Sequence, residues 1–506
     1  MNRHFQIEIK TGSRTLAAID DYPIAGGAIT FIFGESGIGK SLLAKAVYGL
    51  LDPAALSVEI NGASYQKYLK SRLLKNMKKE GFFVFQEPSS HLNPLLKLGE
   101  QLSEGSLKDA GDGQGILRHL FDTKDDTYLQ SLLDIYPLPY RPSGGEKQRL
   151  LLTMAFKRLN EYLKSDIPAD NSLFVFDEPS GSLDDQTRNR FIRLLINIFY
   201  RKPFTCLFIT HDYSIIGEIF RHYRELLPFI RFKELVRSEA GLLMRDFAPT
   251  DYLDWLKNTR AVKDKPTQLK GQKNQNLITI RNPFRVYDHD FYFHKPDKPD
   301  EPKPFRLNRG EMVYLKAPSG LGKTTLAKII MGLQRAQKLD MILLGKKINE
   351  NTPPAFWRRE IWGKKAGMVF QHADEALNLQ ATVGSVFDGL PLKRKLNTKD
   401  KIDLLNTLFR GEVSANFLGK RIGLLSGGQK QRLNLLPTLA LDTDLIVLDE
   451  PLNGLDFASI KKIIAIIRSK QSEGKGLLLI SHNEEIFDSL VSREHIYRLN
   501  VYDATS

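Results

Sequence analysis

The chain has one cysteine, Cys206, in 506 residues. A disulfide framework and a cysteine-based metal site are thereby excluded, which suits a reducing cytosol. Cys206 stands in the apolar run TCLFIT and is expected to be a small core residue. No apolar run is long enough to span a bilayer, and the start MNRHFQIEIK lacks a signal-peptide apolar core. The expectation is a cytoplasmic chain that cannot itself form a membrane pore. Acidic residues are in deficit: 59 Asp and Glu face 73 Lys and Arg, for a net charge of +14. That balance favours an anionic partner, whether nucleic acid, a phospholipid surface or an acidic protein. What remains, 42% hydrophobic and 26% charged, is ordinary globular composition with length for several domains.

The organising stretch is 34–41, GESGIGKS, which fits G-x-x-x-x-G-K-[ST]. An apolar run, residues 29–33, precedes it, and the helical pattern LLAKAV follows. Strand, glycine-rich loop and helix together define a phosphate-binding P-loop. Backbone N–H groups of Gly34, Glu35, Ser36, Gly37, Ile38 and Gly39 would face the phosphates, aided by the helix dipole. Lys40 would reach the β- and γ-phosphates, and the Ser41 hydroxyl would ligate Mg²⁺.

The same order of motifs occurs twice. A second P-loop, APSGLGKT, contributes Ala317, Pro318, Ser319, Gly320, Leu321, Gly322, Lys323 and Thr324, with Thr325 just beyond. Apolar strands end at Gln86 and at Gln371. Ser143-Gly144-Gly145 recurs as Ser426-Gly427-Gly428-Gln429. Strands ending in paired carboxylates give Asp177-Glu178 and Asp449-Glu450, and later strands end at His211 and His482. P-loop lysine and signature serine lie 103 residues apart in both halves. The halves differ mainly at 158–171, a polar segment expected to contain a loop. A glycine-rich break in helical structure is expected at Gly111–Gly115.

Residues 258–276 are polar and basic without apolar periodicity, and read as a linker between a first domain, 1–257, and a second, 277–506. The patch KPDKPDEPKP at 295–304 holds four prolines, which forbid a central strand and predict an exposed loop.

Walker A, glutamine loop, SGG signature, Asp-Glu-Pro and terminal histidine, in that order, resemble an ATP-binding cassette ATPase. The resemblance implies an α/β fold. It would hold two tandem P-loop NTPase domains, each with a RecA-like core, an antiparallel β subdomain and a helical subdomain. Two cassettes in one chain resemble fused importer ATPase subunits. The stretch FQEPSSHLNP, 85–94, resembles FQ-x-P-x-x-x-L-N-P of oligopeptide, dipeptide and nickel importers; in the second half the match is looser.

The resemblance implies ATP and Mg²⁺ as ligands. Asp177 and Asp449 would hold the metal, with Ser41, Thr324, Gln86 and Gln371. Glu178 and Glu450 would polarise the attacking water, a role worth roughly 10²–10⁴ in rate. His211 and His482 would bond the γ-phosphate. Each SGG motif would complete the other half's site in a head-to-tail pair, with Asp184 and Asp456 communicating between them. No aromatic in 10–14 suits adenine stacking; Tyr287, Tyr292 and Phe293 are candidates in the second half.

Two function classes follow. One is the ATPase subunit of an importer of peptides or a similar solute, peripheral on the inner membrane face. It would dock transmembrane permease subunits through 87–102, serve a solute-binding protein indirectly, and rest its basic surface on anionic lipid. The other is a soluble twin cassette acting on ribosomes or nucleic acid. Those usually read DEP-x-N-H-L-D, whereas this chain has DEPSGSLD and DEPLNGLD, which favours the transporter. The Lys323 site is expected to be the slower one. It carries Ala317 where the pattern has glycine, and its opposing signature carries Pro142 and the carboxylate of Glu146.

Overall fold

The computed structural model describes residues 2–502 except 80, 104–109, 138–141, 182, 239–240, 264–274, 282, 318–320 and 410–412. The chain divides into two compact units, Met1–Thr250 and Asp251–Ser506.

In the first unit the strand Ile29–Phe33 lies between Thr205–Ile209 and Ile230–Ser238, parallel to both. Leu173–Asp177 and then Phe82–Val84 extend the parallel run. Helices cover such strands on both faces, so they must be apolar throughout, and LFVFD and TCLFI are buried at every position. Aromatic rings fill this core: Phe31 lies 5.0 Å from Phe208, and Phe33 stacks 4.6 Å from Tyr213. Cys206 is fully buried among them. On the other side the sheet continues into a mainly antiparallel arm of Gly241–Asp246, Arg14–Ala25, Asn2–Thr11 and Ser57–Ile60.

The helix Lys40–Tyr48 stops at Gly49, whose left-handed backbone lets the N–H groups of Gly49 and Leu50 close on the Ala46 and Lys45 carbonyls. A helical part with its own small core, including Leu98, Leu117, Leu129 and Leu132, precedes the long helix Gly144–Lys164. One expectation is corrected here. Helix Ala110–Phe121 runs through Gly111–Gly115 without a break. Burial of Ile116, Leu117 and Leu120 outweighs glycine costs of about 1 kcal/mol each. The polar 158–171 segment begins inside the helix Gly144–Lys164, where Leu159 and Tyr162 prolong the buried face, and the expected loop follows at 165–168.

The second unit repeats the parallel core. Met312–Lys316 lies between Gly476–Ile480 and Ile496–Tyr502, and Leu445–Asp449 and Ala366–Val369 follow. A separate antiparallel sheet is built from Phe305–Asn308, Asn276–Arg281, Asp340–Leu343 and Lys346–Ile348. The proline-rich patch forms an exposed edge strand, Lys298–Pro302, paired with His289–Lys295. At an edge, prolines forfeit no ladder bond, so a strand forms where the sequence suggests a loop.

The helix Pro249–Lys263 runs through 257–258, where the sequence puts the start of the linker. From Asp251 onward it belongs to the second unit. Its buried face is Tyr252, Leu256 and Thr259, at helical spacing. The linker residues 264–274 lie outside the described residues.

Candidate active sites

In the first unit the P-loop leaves the buried strand Ile29–Phe33 and enters the helix Lys40–Tyr48. Gly34 has φ +140°, and a Cβ there would stand 2.7 Å from the Leu235 carbonyl oxygen, so only glycine fits. Lys40 is buried, and its Nζ donates to the carbonyls of Gly34 at 2.7 Å and Glu35 at 2.9 Å. It also lies 3.9 Å from Glu178 Oε1. The Ser41 hydroxyl donates to Asp177 Oδ1 at 2.7 Å. Gln86 Nε2 donates to Glu178 Oε2 at 3.1 Å, and His211 Nδ1 stands 3.4 Å from the same oxygen. Chain segments far apart in sequence thus converge on one carboxylate pair.

The two carboxylates are poised differently. Burial raises Asp177 to about 6, opposed by the Ser41 hydroxyl. Burial also pushes Glu178 up, but His211 and Lys40 outweigh it and hold Glu178 down at about 2. His211 is raised in turn: burial lowers it, and Glu178 more than compensates.

In the second unit the loop opens at Ala317, which keeps an ordinary backbone rather than the positive φ of Gly34. Pro318, Ser319 and Gly320 lie outside the described residues. At Gly322, φ +91°, an added Cβ would meet the Phe291 ring at 3.2 Å and the Thr325 Cβ at 3.7 Å. Lys323 Nζ donates to the Ala317 carbonyl at 2.6 Å and lies 3.3 Å from His482 Nδ1. Thr324 donates to Gln371 Oε1 at 3.2 Å. Glu450 Oε2 accepts from the Ser481 hydroxyl at 2.8 Å, and His482 Nε2 stands 3.6 Å from Oε1. Burial raises Asp449 to about 6, opposed by Thr324 and Lys323. Burial, reinforced by Asp449, also pushes Glu450 upward, opposite to Glu178.

Glu178 and Glu450 share a strained feature: each has φ near +47°, at +46° and +48° respectively. The strand's last carboxylate and the one after it therefore diverge from a regular extended course.

Ser143 and Ser426 cap their helices through matching capping boxes. Gly144, Gly145, Gly427 and Gly428 form the first turns, and Gln429 returns its carbonyl to the Ser426 N–H at 3.1 Å. Glu146 does the same at 2.7 Å, and its other oxygen accepts the Tyr128 hydroxyl. Burial pushes Glu146 up, yet Tyr128 and Ser143 outweigh it and hold it below the usual range. The carboxylate expected to face a triphosphate is thus engaged by its own helix cap and by Tyr128 of the helix Asp126–Leu133.

Among the described residues no cluster of three or more His, Cys, Asp or Glu is placed to hold a metal alone. At the first site the Ser41 hydroxyl meets Asp177, and four carboxyl oxygens of the two sites are buried without a hydrogen bond: Asp177 Oδ2, both of Asp449 and Glu450 Oε1. Such orphaned atoms fit a hydrated Mg²⁺ completed by phosphate oxygens.

Sequence reasoning missed several residues here. Ser481, ordinary in its motif, reaches Glu450 only through the fold. Arg188 joins Asp185 at 2.7 Å and Asp212 at 2.6 Å beside His211. Tyr292 and Phe293 are strand residues, whereas Tyr287 stands in the turn at φ +53° with 80% of its surface exposed.

The ABC transporter family model matches residues 21–169 and 302–453, once in each unit and over more than half of the chain. The chain therefore belongs to the ABC transporter ATP-binding proteins: it is an ATPase with two nucleotide-binding domains. It is similar to a putative ABC transporter ATP-binding protein of Treponema denticola, 27% identical over 486 residues, covering 92% of this chain and 88% of that one. It is also similar to the glutathione import ATP-binding protein GsiA of Escherichia coli K12, 25% identical over 533 residues, covering 93% and 80%. Among solved structures it resembles the RNase-L Inhibitor with a TM-score of 0.61 over 97% of this chain and 89% of that one. At 18% identity that likeness is one of fold. Among the described residues no helix is long and apolar enough to cross a membrane.

Proposed function

We propose that this ATPase drives a membrane importer of peptides or a related small solute, seated peripherally on the inner membrane face. The observation that carries the reading is the segment after Gln86. Pro88–Ser90 is a short 3-10 turn, and the loop beyond is fastened by Gln101, which donates to the Asn93 and Leu96 carbonyls at 2.9 Å. That fastening leaves Leu95 81% exposed. A cavity of about 870 Å³ adjoins it, lined by Leu96, Gly99, Leu102, Leu133 and Lys157. A rigid loop presenting a leucine beside a cleft suits a permease helix. The similarity to glutathione import proteins supports the same class of solute.

Within each unit the chemistry is hydrolysis at the γ-phosphate. Loop N–H groups bind the phosphates, and Lys40 and Lys323 turn from loop carbonyls to phosphate oxygens. Glu178, kept anionic by His211 and Lys40, polarises the attacking water, and Gln86 orients it. In the second unit Gln371 takes the orienting role and Glu450, whose carboxyl burial raises, takes that of the base. His211 and His482 bond the γ-phosphate. Ser41 and Asp177, and in the second unit Thr324 and Asp449, would hold Mg²⁺, which would supply neutralisation of phosphate charge. Tyr287 offers its ring to adenine, and Tyr287→Ala should weaken ATP binding. ATP binding and hydrolysis would supply the conformational cycle that moves the permease.

Uptake of labelled di- and tripeptides, glutathione included, tests this in cells making the Glu178→Gln, Glu450→Gln chain in place of wild type. Loss of uptake is expected. Retained uptake, with the chain sedimenting on ribosomes in a nuclease-sensitive way, would favour a soluble twin cassette instead.

A further inference from the structure

In both units the helix that begins at the signalling aspartate must hold station against the loop that carries the histidine. The units do this by different means. In the first, Asp184 caps Asp185–Arg201 by accepting the Thr187 N–H at 2.8 Å. One turn in, buried Arg188 reaches across to Asp212, the neighbour of His211, at 2.6 Å, and to the Ser214 hydroxyl at 2.7 Å. In the second, Asp456 caps Phe457–Ser472 through the Ser459 N–H at 2.7 Å. The position matching Arg188 is Ile460, and the one matching Asp212 is Asn483. That ion pair therefore has no counterpart there.

The helix Pro249–Lys263 spans the same two elements. Tyr252 is fully buried; its ring lies 5.8 Å from Phe457, the residue after Asp456. Its hydroxyl donates at 2.9 Å to Glu485, three residues after His482, on the helix Glu484–Leu490. Trp255 meets Phe457 edge-on at 5.4 Å. Lower on the helix, the Thr259 carbonyl accepts from Arg468 at 2.6 Å, which fixes its angle on Phe457–Ser472.

We infer that Tyr252 is a positioning residue for hydrolysis in the second unit, joining the Asp456 helix to the His482 loop through Phe457 and Glu485. The connecting helix is then part of the second active site's scaffold. This rests on the reading of His482 and Asp456 as residues of an ATP site.

The full chain tests it by steady-state ATP turnover. Tyr252→Phe keeps the ring against Phe457 and removes only the hydroxyl. The expected result is a kcat lower by about twofold to fivefold, the scale of one hydrogen bond, with KM unchanged and the thermal midpoint lower by no more than about 2–4 °C. When the two sites fire independently, the same loss at one of them lowers the kcat of the whole chain by less than twofold. Glu485→Ala should lower kcat as well, and Tyr252→Phe should add no further loss to it, because both remove the hydrogen bond that the two residues share. An unchanged kcat overturns the inference. So do losses that multiply in the double variant, or a kcat that falls only in step with the folded fraction. His482→Ala separates this from the site reading: turnover unaffected by that change refutes the site itself, whatever Tyr252→Phe does.

Discussion

The Ser481 and Thr210 hydroxyls occupy matching places and accept the Asn483 and Asp212 N–H groups at 3.1 and 3.0 Å, and the Ser481 hydroxyl also donates to Glu450 at 2.8 Å. Glu178 is held instead by the Gln86 amide and the His211 ring. Two nearly repeated motif sets thus place the same glutamate in opposite electrostatic states.

The first prediction is a pair of stability changes of opposite sign. Glu178 has a folded pKa of about 2, below its ordinary value, so its contribution is present above about pH 4.5 and lost as pH falls through 2. Glu178→Gln should therefore cost about 1–3 kcal/mol near neutral pH. Glu450 is raised, so its contribution is complete below about pH 4.5 and lost as pH rises through its folded pKa. Glu450→Gln should stabilise the nucleotide-free chain by about 1–2 kcal/mol near pH 9, with the gain vanishing near pH 5. Thermal melts of both variants across that range check it. Shifts of the same sign at alkaline pH contradict the account.

Turnover should also be unequal. Glu178→Gln is expected to reduce steady-state hydrolysis more than Glu450→Gln does, since burial favours the protonated form of Glu450, which cannot take the proton of the attacking water. Glu146→Gln, by contrast, should change neither rate nor ATP affinity, because Gln429 makes the same capping box. Equal damage from the two catalytic substitutions would dismiss the asymmetry.

The loop after Gln86 separates packing from docking. Leu92 is 5% exposed and Leu95 81%. Leu92→Asp should destabilise the first unit by about 3 kcal/mol or more, as a charge forced into a core does. Leu95→Asp should leave stability and basal ATPase intact while abolishing solute uptake. Normal uptake by the Leu95 variant would remove the proposed docking role.

Much of this was legible in the sequence. Matched spacings from Lys40 to Ser143 and from Lys323 to Ser426 repeat because both halves need a loop, strand and helix in one order. Buried strands such as LFVFD and LIVLD announce themselves by unbroken apolarity. The connecting helix was hidden because its buried face, Tyr252, Leu256 and Thr259, lies under a polar, basic exterior. The glycines of helix Ala110–Phe121 misled because local propensity is weaker than the burial of Leu117 and Leu120. Rotamer-level exchanges, such as Ser481 taking Glu450 while Gln371 takes the Thr324 proton, leave no trace in spacing.

The central claim is that one chain carries two complete ATP sites. Calorimetric titration of the Glu178→Gln, Glu450→Gln chain with Mg·ATP measures it directly. The account predicts two ATP bound per chain, falling to one when either Lys40→Ala or Lys323→Ala is added. A single ATP per chain in the double variant, or no change on adding either lysine substitution, would contradict it.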